Sequence, residues 1–168
     1  EVHEATIQRS SAFNYVYYSY NTHGKVAVEP DFRQWDILFT PYRGWWETSE
    51  PGVYAPFNMS GIMINNEAGV RVAHIFDPDV LFEDLDSASV YLYEFTDKKG
   101  AIGADWKVLG DQNSGNIISV NPDKKYLLKK YNSESGKIMY FKLQIIDYKN
   151  DSGEAHHPTV EFKFLFSE

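Results

Sequence analysis

The sequence predicts a mostly β, antiparallel fold with at most one or two short helices. Three observations support this prediction. Aromatic residues make up 16% of the 168 residues, and such residues favour strands. Short apolar runs with alternating polar positions recur along the chain, and clusters of turn-forming residues separate them. The connections between the last runs leave little room for crossover helices, so we expect neighbouring strands to be antiparallel.

The first predicted strands form a hairpin. Residues 13–20 are aromatic and β-branched, residues 21–24 favour a turn, and residues 25–28 return from it. A second strong strand is predicted over residues 35–40, with alternate apolar side chains on one face.

An aromatic loop is expected to follow, over residues 41–56, because Gly and Pro interrupt this stretch. Long loops without secondary structure of their own are often functional. We expect an exposed aromatic side chain here to stack on a sugar ring or a flat ligand, although one tryptophan is equally able to plug the end of the sheet. The stacking candidates are Tyr42, Trp45, Trp46 and Tyr54.

One helix is predicted, over residues 77–85. Asp77 is a suitable N-cap and Pro78 occupies the favoured first position. One face of this helix would then hold Leu81, Phe82 and Leu85. Further strands are predicted over residues 57–65, 70–76, 91–95, 105–109, 116–120, 126–130, 138–147 and 160–166.

Charge and composition exclude several classes of protein. The formal net charge is −8, whereas a nucleic-acid binder carries a basic stripe. Lysines cluster at residues 124–130, and we expect them to form a solvated face. No apolar run approaches the roughly 20 residues that span a bilayer. The chain has no Cys, which excludes disulfides, thiolate catalysis and cysteine zinc sites.

Catalytic motifs are missing from the sequence. There is no nucleophile elbow, no glycine-rich phosphate loop and no HExxH zinc motif. Glu47 and Glu50 beside the tryptophan pair are the one carboxylate pairing worth considering, and carboxylate spacing alone does not indicate a glycosidase. We therefore expect a single binding domain over residues 1–168 that is not an enzyme.

Methionine and histidine side chains are the candidate metal and haem ligands, because both serve as axial ligands of haem iron. In a strand at residues 70–76, His74 would share a face with apolar neighbours. The adjacent pair His156 and His157 would point in opposite directions from an extended segment. Core packing is the alternative role for each methionine. The candidates are Met59, Met63, His74, His156 and His157.

Several motifs occur in an order that resembles one known family. An aromatic hairpin precedes Trp35-Asp36-Ile37-Leu38-Phe39, and Ile102-Gly103-Ala104-Asp105-Trp106-Lys107 follows later. The end of the chain holds residues 140–148 and then residues 158–162. This succession resembles the HmuY-like haemophore family of Bacteroidetes, from about residue 6 to residue 165.

The resemblance implies an almost all-β fold that holds haem between projecting loops. It also implies a secreted protein or a lipoprotein at the outer membrane surface, with its leader outside this numbering. Haem taken from host carriers would pass to a TonB-dependent outer-membrane receptor.

The ligand pair does not carry over from the family, whose His or Met pairs lie in the later central part of the domain. Residues 76–136 of this chain contain neither His nor Met. Tyr91 and Tyr93 lie in that region, and tyrosine ligates ferric haem. Binding of a surface glycan or of a protein partner, without haem, is the alternative prediction.

Overall fold

The structure is a computed structural model, and it confirms the mostly β, antiparallel fold. It describes residues 2–6, 16–20, 24–26, 35–40, 44–47, 50–57, 61–103, 106–109, 117–149, 153 and 155–168. In these ranges, every pair of hydrogen-bonded strands is antiparallel, and the helical element is a single 3₁₀ turn. The strands are β1 Val2–Thr6, β2 Val16–Ser19, β3 Gly24–Val26, β4 Ile37–Phe39, β5 Gly44–Glu47, β6 Tyr54–Phe57, β7 Ile62–Ile64, β8 Val70–Ile75, β9 Lys107–Leu109, β10 Ile117–Val120, β11 Lys125–Asn132, β12 Lys137–Lys149 and β13 Ala155–Ser167.

Two larger sheets and two hairpins make up the described part of the chain. The five-stranded sheet has the order β1-β13-β12-β11-β8, and the four-stranded sheet has the order β3-β2-β4-β7. Strands β5 and β6 form one separate hairpin, and β9 and β10 form the other. Among the described residues, no helix is long and apolar enough to cross a membrane.

The main core lies between the two larger sheets. Alternate residues of β11 and β12 meet there, such as Leu128 and its cross-strand partner Phe141. Phe39 and Ile62 come from the four-stranded sheet. Trp106 is buried in this core and donates its indole N–H to the carbonyl of Gly103 at 3.0 Å. The core thus satisfies its one described indole while it buries apolar surface from both sheets.

A buried ion pair also joins the two sheets. The ammonium of Lys130 in β11 pairs with the carboxylate of Asp36, which precedes β4. The other carboxylate oxygen accepts the backbone N–H of Tyr20 at 2.6 Å. Burial raises the pKa of Asp36, and the ammonium of Lys130 opposes this rise. Because both groups are out of water, each depends on the other to offset its desolvation.

The outer face of the five-stranded sheet is apolar too, and residues 76–97 cover it. We call these residues the covering segment. The sheet contributes Ala73, Leu127 and Tyr140, and the segment contributes Phe82 and Leu85 among others. The large sheet therefore buries apolar side chains on both faces, which explains why its central strands β11 and β12 are rich in them.

Two lysines of the sheet hold the covering segment by its backbone. The ammonium of Lys142 is 2.7 Å from the carbonyl oxygen of Phe82, 2.8 Å from that of Leu85 and 3.3 Å from that of Glu83. Lys125 donates to the carbonyl of Asp77 at 2.9 Å. The side chain of Lys142 is buried, and this desolvation lowers its pKa. Each carbonyl that faces the sheet thus has a charged donor.

The predicted solvated lysine face at residues 124–130 is wrong. Lys125 and Lys130 are buried, at 2% and 7% exposure, and Lys124 and Lys129 are partly buried. Alternation along β11 directs Lys130 towards the main core and Lys125 towards the covering segment. The sequence shows four lysines. It does not show that Lys130 pairs with the carboxylate of Asp36 or that Lys125 donates to the carbonyl of Asp77.

The predicted helix over residues 77–85 is also wrong. This stretch forms separate turns, in which the side chain of Asp77 accepts the N–H of Asp79 and Leu85 donates to the carbonyl of Phe82. Leu81 is 57% exposed, whereas Phe82 and Leu85 are buried, so the three do not share a face. An Asp-Pro pair starts turns as readily as helices. The carbonyls of Phe82 and Leu85 both point towards the Lys142 ammonium and not along a common helix axis.

The predicted strand over residues 91–95 is wrong as well. The chain instead forms a 3₁₀ turn at Ser89–Tyr91 and meets β8 only through the bridge between Val72 and Thr96. The carboxylate of Asp86 accepts the N–H of Ala88 and that of Ser89. These local acceptors favour a turn over a strand.

Two further differences concern the first third of the chain. The predicted irregular loop over residues 41–56 contains the β5–β6 hairpin, whose turn places Gly52 at a φ of 78°. The first residues form β1 on the edge of the large sheet, with His3 opposite Phe162. The predicted strands from residues 35–40, 70–76, 126–130 and 138–147 are confirmed, with shifted ends.

We predict that Lys142→Met destabilises the fold by about 3 kcal/mol, because three buried carbonyls lose their donor. Urea unfolding followed by circular dichroism measures the change. Lys163→Met is the matched control, since Lys163 lies opposite Lys142 and also has its ammonium near the ring of Phe82. Lys163 is partly exposed and pairs with Glu161, so its loss should cost less than about 1 kcal/mol. Equal effects of the two substitutions would contradict the role given to Lys142.

We predict that Asp36→Asn costs about 3 kcal/mol, because it leaves the ammonium of Lys130 buried without a counter-charge. The double variant Asp36→Asn/Lys130→Met should recover part of that loss, since it removes the stranded charge as well. Urea unfolding of both variants gives the comparison. A double variant less stable than the single one would show that the charge of Lys130 is not the source of the cost.

Candidate functional site

The structure does not bring the predicted ligands together. Met63 is buried, and it lies opposite Leu38 on the face of β7 that points away from Ile62 and Ile64. Those isoleucines belong to the main core. Met63 is therefore on the far side of the four-stranded sheet from the large sheet. Met59 lies outside the described residues.

His74 lies on the inner face of the large sheet. It shares that face with Val70 and Val72, as expected from the sequence, and it is partly buried. Its ring makes edge contacts with Tyr126 at 5.4 Å and Phe76 at 5.0 Å between centroids. These contacts are those of a packed side chain at the end of the core.

The other two candidate histidines, His156 and His157, lie far from His74. The backbone of His156 and His157 belongs to β13, and the residue of β13 that lies across from His74 is Phe162. Three strand spacings are roughly 14 Å, and the five residues from Phe162 to His157 add roughly 17 Å along the strand. His74 and this pair therefore do not meet at one iron atom.

The stacking candidates lie on the β5–β6 hairpin or next to it. In the backbone register, Trp45 lies opposite Pro56, Trp46 opposite Ala55, and Tyr54 opposite Glu47. Tyr42 lies outside the described residues. In the part of the chain that is described, no group of three or more His, Asp or Glu side chains is arranged to hold a metal ion.

An apolar pocket of about 440 Å³ opens between the covering segment and β13. Ser87, Ala88, Tyr91 and Phe166 line it. Tyr91 is 65% exposed, and Leu92 beside it is 77% exposed. The pocket is shallow and its lining is mostly apolar, and we take it, the Tyr91 pocket, as the candidate functional site.

Aromatic rings pack beside the Tyr91 pocket on the outer face of the sheet. The rings of Tyr140 and Phe166, from neighbouring strands, are nearly parallel with centroids 4.7 Å apart. Tyr91 lies beside Phe166 at 6.5 Å, and Phe95 meets the edge of Tyr140 at 6.3 Å. Tyr140 is 6% exposed and does not line the pocket, so Tyr91 and Phe166 are the rings open to a ligand.

The carboxylate of Glu168 connects Tyr91, which lines the pocket, with Tyr140 of the sheet. Glu168 accepts the phenol of Tyr91 at 2.8 Å on one oxygen and the phenol of Tyr140 at 2.9 Å on the other. Backbone hydrogen bonds between Glu168 and Ile138 extend β13 and hold the carboxylate in place. The Tyr91 phenol is thus positioned by the sheet although its residue belongs to a turn.

The shared carboxylate shifts the pKa values of all three groups. Its hydrogen bond with Glu168 raises the pKa of Tyr91. Burial first, and then Glu168, raise the pKa of Tyr140 to about 12. The phenols of Tyr91 and Tyr140 lower the pKa of Glu168 in return. At neutral pH the site therefore holds one carboxylate and two protonated phenols.

A second pocket, of about 510 Å³, opens on the other side of the covering segment. Its lining is mixed in charge and consists of Arg71, Glu94, Phe95, Thr96 and Asp97. Lys129 lies opposite both Arg71 and Tyr140 in the sheet, with its ammonium 4.7 Å from the centroid of Phe95. A cation therefore lies between the two pockets.

Sequence reasoning missed Phe166 and Glu168. It placed Tyr91 in the region of interest, but Glu168 is 77 residues away and reaches it only through the register of β12 and β13. The alternation of Phe162, Phe164 and Phe166 was visible in the sequence. It does not show which ring faces the covering segment, because an irregularity between β12 and β13 changes the register at Tyr140.

We predict that Glu168→Gln lowers the pKa of the Tyr91 phenol towards its usual value near 10, because the negative charge that holds the phenol proton is lost. The pKa of Tyr140 should fall below about 12 for the same reason. Tyrosine labelled with ¹³C at Cζ, assigned with Tyr→Phe variants, reports both titrations by NMR. Glu161→Gln, on the same strand, is the control and should leave Tyr91 unchanged. If both pKa values stay where they are, Glu168 does not accept these protons.

Comparison with known proteins finds a likeness in structure but not in sequence. No family model and no curated protein matches the sequence. Among solved structures, the chain is similar to the crystal structure of the apo HmuY analog (TFO) of Tannerella forsythia. The TM-score is 0.48 at 12% sequence identity, and the match covers 99% of this chain and 97% of that chain. The functional proposal therefore depends on the side chains of this chain.

Proposed function

We propose that this chain is an extracytoplasmic haem-binding protein that captures haem and passes it to a TonB-dependent receptor in the outer membrane. The observation that carries the proposal is the exposed phenol of Tyr91 in an apolar pocket with a carboxylate on its hydroxyl. A phenol oxygen is a known axial ligand of haem iron. The order of the sequence motifs supports the same function and is the basis for the receptor and for the outer-membrane location.

The lining of the Tyr91 pocket supports this proposal through its apolar character. Phe166 lines the pocket and Leu92 beside Tyr91 is exposed, so both would offer apolar surface to a porphyrin. Haem also carries two carboxylates. Lys129, which lies next to Tyr140 in the sheet, is the cation that would pair with them, because the covering segment itself is acidic.

Iron ligation requires the Tyr91 phenol to lose its proton. Glu168 already accepts this hydrogen bond at 2.8 Å and is the group placed to receive the proton. A ferric ion bound there would stabilise the phenolate, because a bound cation inverts the local preference for the protonated form. We therefore expect ferric haem to bind more tightly than ferrous haem.

The second axial ligand remains a prediction from the sequence. The candidates are Met59, Met63, His74, His156 and His157. The buried position of Met63 and the packed ring of His74 leave these two less accessible to a ligand in the Tyr91 pocket than a residue at the surface. Among the described residues, Tyr91 is the side chain that would hold the iron at this pocket.

We predict a saturable Soret shift when ferric haem is added to the purified protein. Tyr91→Phe should weaken binding at least tenfold, about 1.4 kcal/mol, because it removes the ligand oxygen and keeps the ring. Tyr131→Phe is the matched control, since Tyr131 is 53% exposed on the same sheet and lines neither described pocket. Its affinity for haem should equal that of the unchanged protein.

Each result of the haem titration tests a different part of the proposal. The absence of a Soret shift in both oxidation states would reject haem binding and leave glycan or protein binding as the function. A shift that is equal in Tyr91→Phe and Tyr131→Phe would keep haem binding but reject the Tyr91 pocket. Loss of the shift in a His74 variant or in a His156/His157 double variant would return the site to the ligands predicted from the sequence.

A further inference from the structure

The net charge of this chain is concentrated on the covering segment. Residues 76–97 contain seven Asp or Glu and no Lys or Arg, so they account for seven of the eight net negative charges of the chain. All seven acidic residues are exposed. They are Asp77, Asp79, Glu83, Asp84, Asp86, Glu94 and Asp97. The remaining 146 positions are close to neutral in sum, so the covering segment is a strongly acidic surface of the described part of the chain.

These carboxylates form no direct ion pair within the described residues, although the Lys142 ammonium attracts Glu83 and Asp84. In the described part of the chain, the ion pairs involve Asp36 and Glu161 and none of the seven acidic residues. Lys125 and Lys142, which lie beneath the segment, donate to backbone carbonyls and not to its carboxylates. Asp77 and Asp86 accept backbone N–H groups of their own turns. The negative field of the segment therefore extends into solvent.

The same segment exposes large apolar side chains among its carboxylates. Leu81, Tyr91 and Leu92 are 57%, 65% and 77% exposed. They lie above the same two strands, because Phe82 contacts the lysines of β12 and β13 while Tyr91 contacts Phe166 of β13. Exposed apolar residues within a polar frame are typical of an interaction surface.

We infer that the covering segment is a docking surface for a basic protein partner, whose Lys or Arg side chains surround an apolar centre. Charge complementarity selects this partner, because seven unpaired carboxylates repel nucleic acid and anionic lipid. The apolar residues supply the short-range contacts, and the carboxylates supply steering and orientation. This inference does not rest on haem binding, and it concerns side chains outside the lining of the Tyr91 pocket, chiefly Leu81 and Leu92.

The rigidity of the segment favours this role. Lys142 and Lys125 fix its first half, and the hydrogen bond from Tyr91 to Glu168 and the bridge at Thr96 fix its second half. A surface held in this way loses little conformational entropy when a partner binds. The exposed residues are therefore presented by the sheet as a fixed pattern.

The test uses haem-free, ¹⁵N-labelled protein and three defined peptides. The first is a short amphipathic helix of Lys and Leu, the second replaces its Leu by Ser, and the third replaces its Lys by Glu. We expect the Lys/Leu peptide to shift amide resonances of residues 76–97 and to bind at least tenfold more tightly than the other two. The affinity should fall as salt is raised from 0.05 to about 0.5 M, because the carboxylates are exposed.

Variants separate the two contributions to binding. Leu81→Ser/Leu92→Ser should weaken the Lys/Leu peptide about tenfold, and Glu83→Gln/Asp84→Asn/Glu94→Gln should remove most of the salt dependence. Val53→Ser is the matched control, since Val53 is 45% exposed and lies next to β6 in the β5–β6 hairpin, away from the covering segment, and this variant should bind normally. Unchanged thermal unfolding confirms that each variant is folded.

Three results would overturn the inference. They are an absence of binding by the Lys/Leu peptide, amide shifts that lie outside residues 76–97, and an affinity unchanged by Leu81→Ser/Leu92→Ser. Calcium that perturbs the same amides more strongly than the peptide would assign the carboxylates to metal binding and would also overturn it. Because haem is absent throughout, failure here is distinguishable from failure of the haem titration.

Discussion

The ammonium of Lys142 is the group on which the functional side of this molecule depends. It lies within a large sheet that is apolar on its outer face, and it donates to carbonyls of Phe82, Glu83 and Leu85. A charge in this position requires those acceptors, because burial without them costs several kcal/mol. The acceptors in turn prevent residues 82–85 from forming a regular helix. Lys142 thus fixes the conformation of residues 82–85 and their place on the sheet.

The position of the candidate site follows from this arrangement. Once residues 82–85 are fixed, the chain crosses β12 and β13 and places Tyr91 beside Phe166, within reach of Glu168. The site is built from one turn and two neighbouring strands, and the strands supply its rigid part. Such a division is common in binding proteins, because side chains on loops become precise only when a sheet orients them.

The sequence allowed the strands of the second half to be predicted but not the contacts between distant segments. The β11–β12 hairpin follows from alternating apolar residues and a polar turn that ends at Gly136, where φ is 68°. Nothing local distinguishes Lys142 from an exposed lysine, and Asp77-Pro78 starts a turn as readily as a helix. The pairing of Glu168 with Tyr91 and Tyr140 depends on strand register, which single-sequence patterns do not determine.

The acidic covering segment has opposite electrostatic effects on the two proposed ligands, haem and a basic protein. Haem carries carboxylates, so the acidic residues of the segment disfavour its entry except on the side of Lys129, while they favour approach of a basic protein. A basic partner that docked on the segment would neutralise this field and so raise the affinity of the adjacent pocket for an anionic ligand. By linkage, the ligand would strengthen docking by the same factor. Under the two proposals, an acidic docking surface beside an apolar pocket would couple the two sites through charge, without a change of conformation.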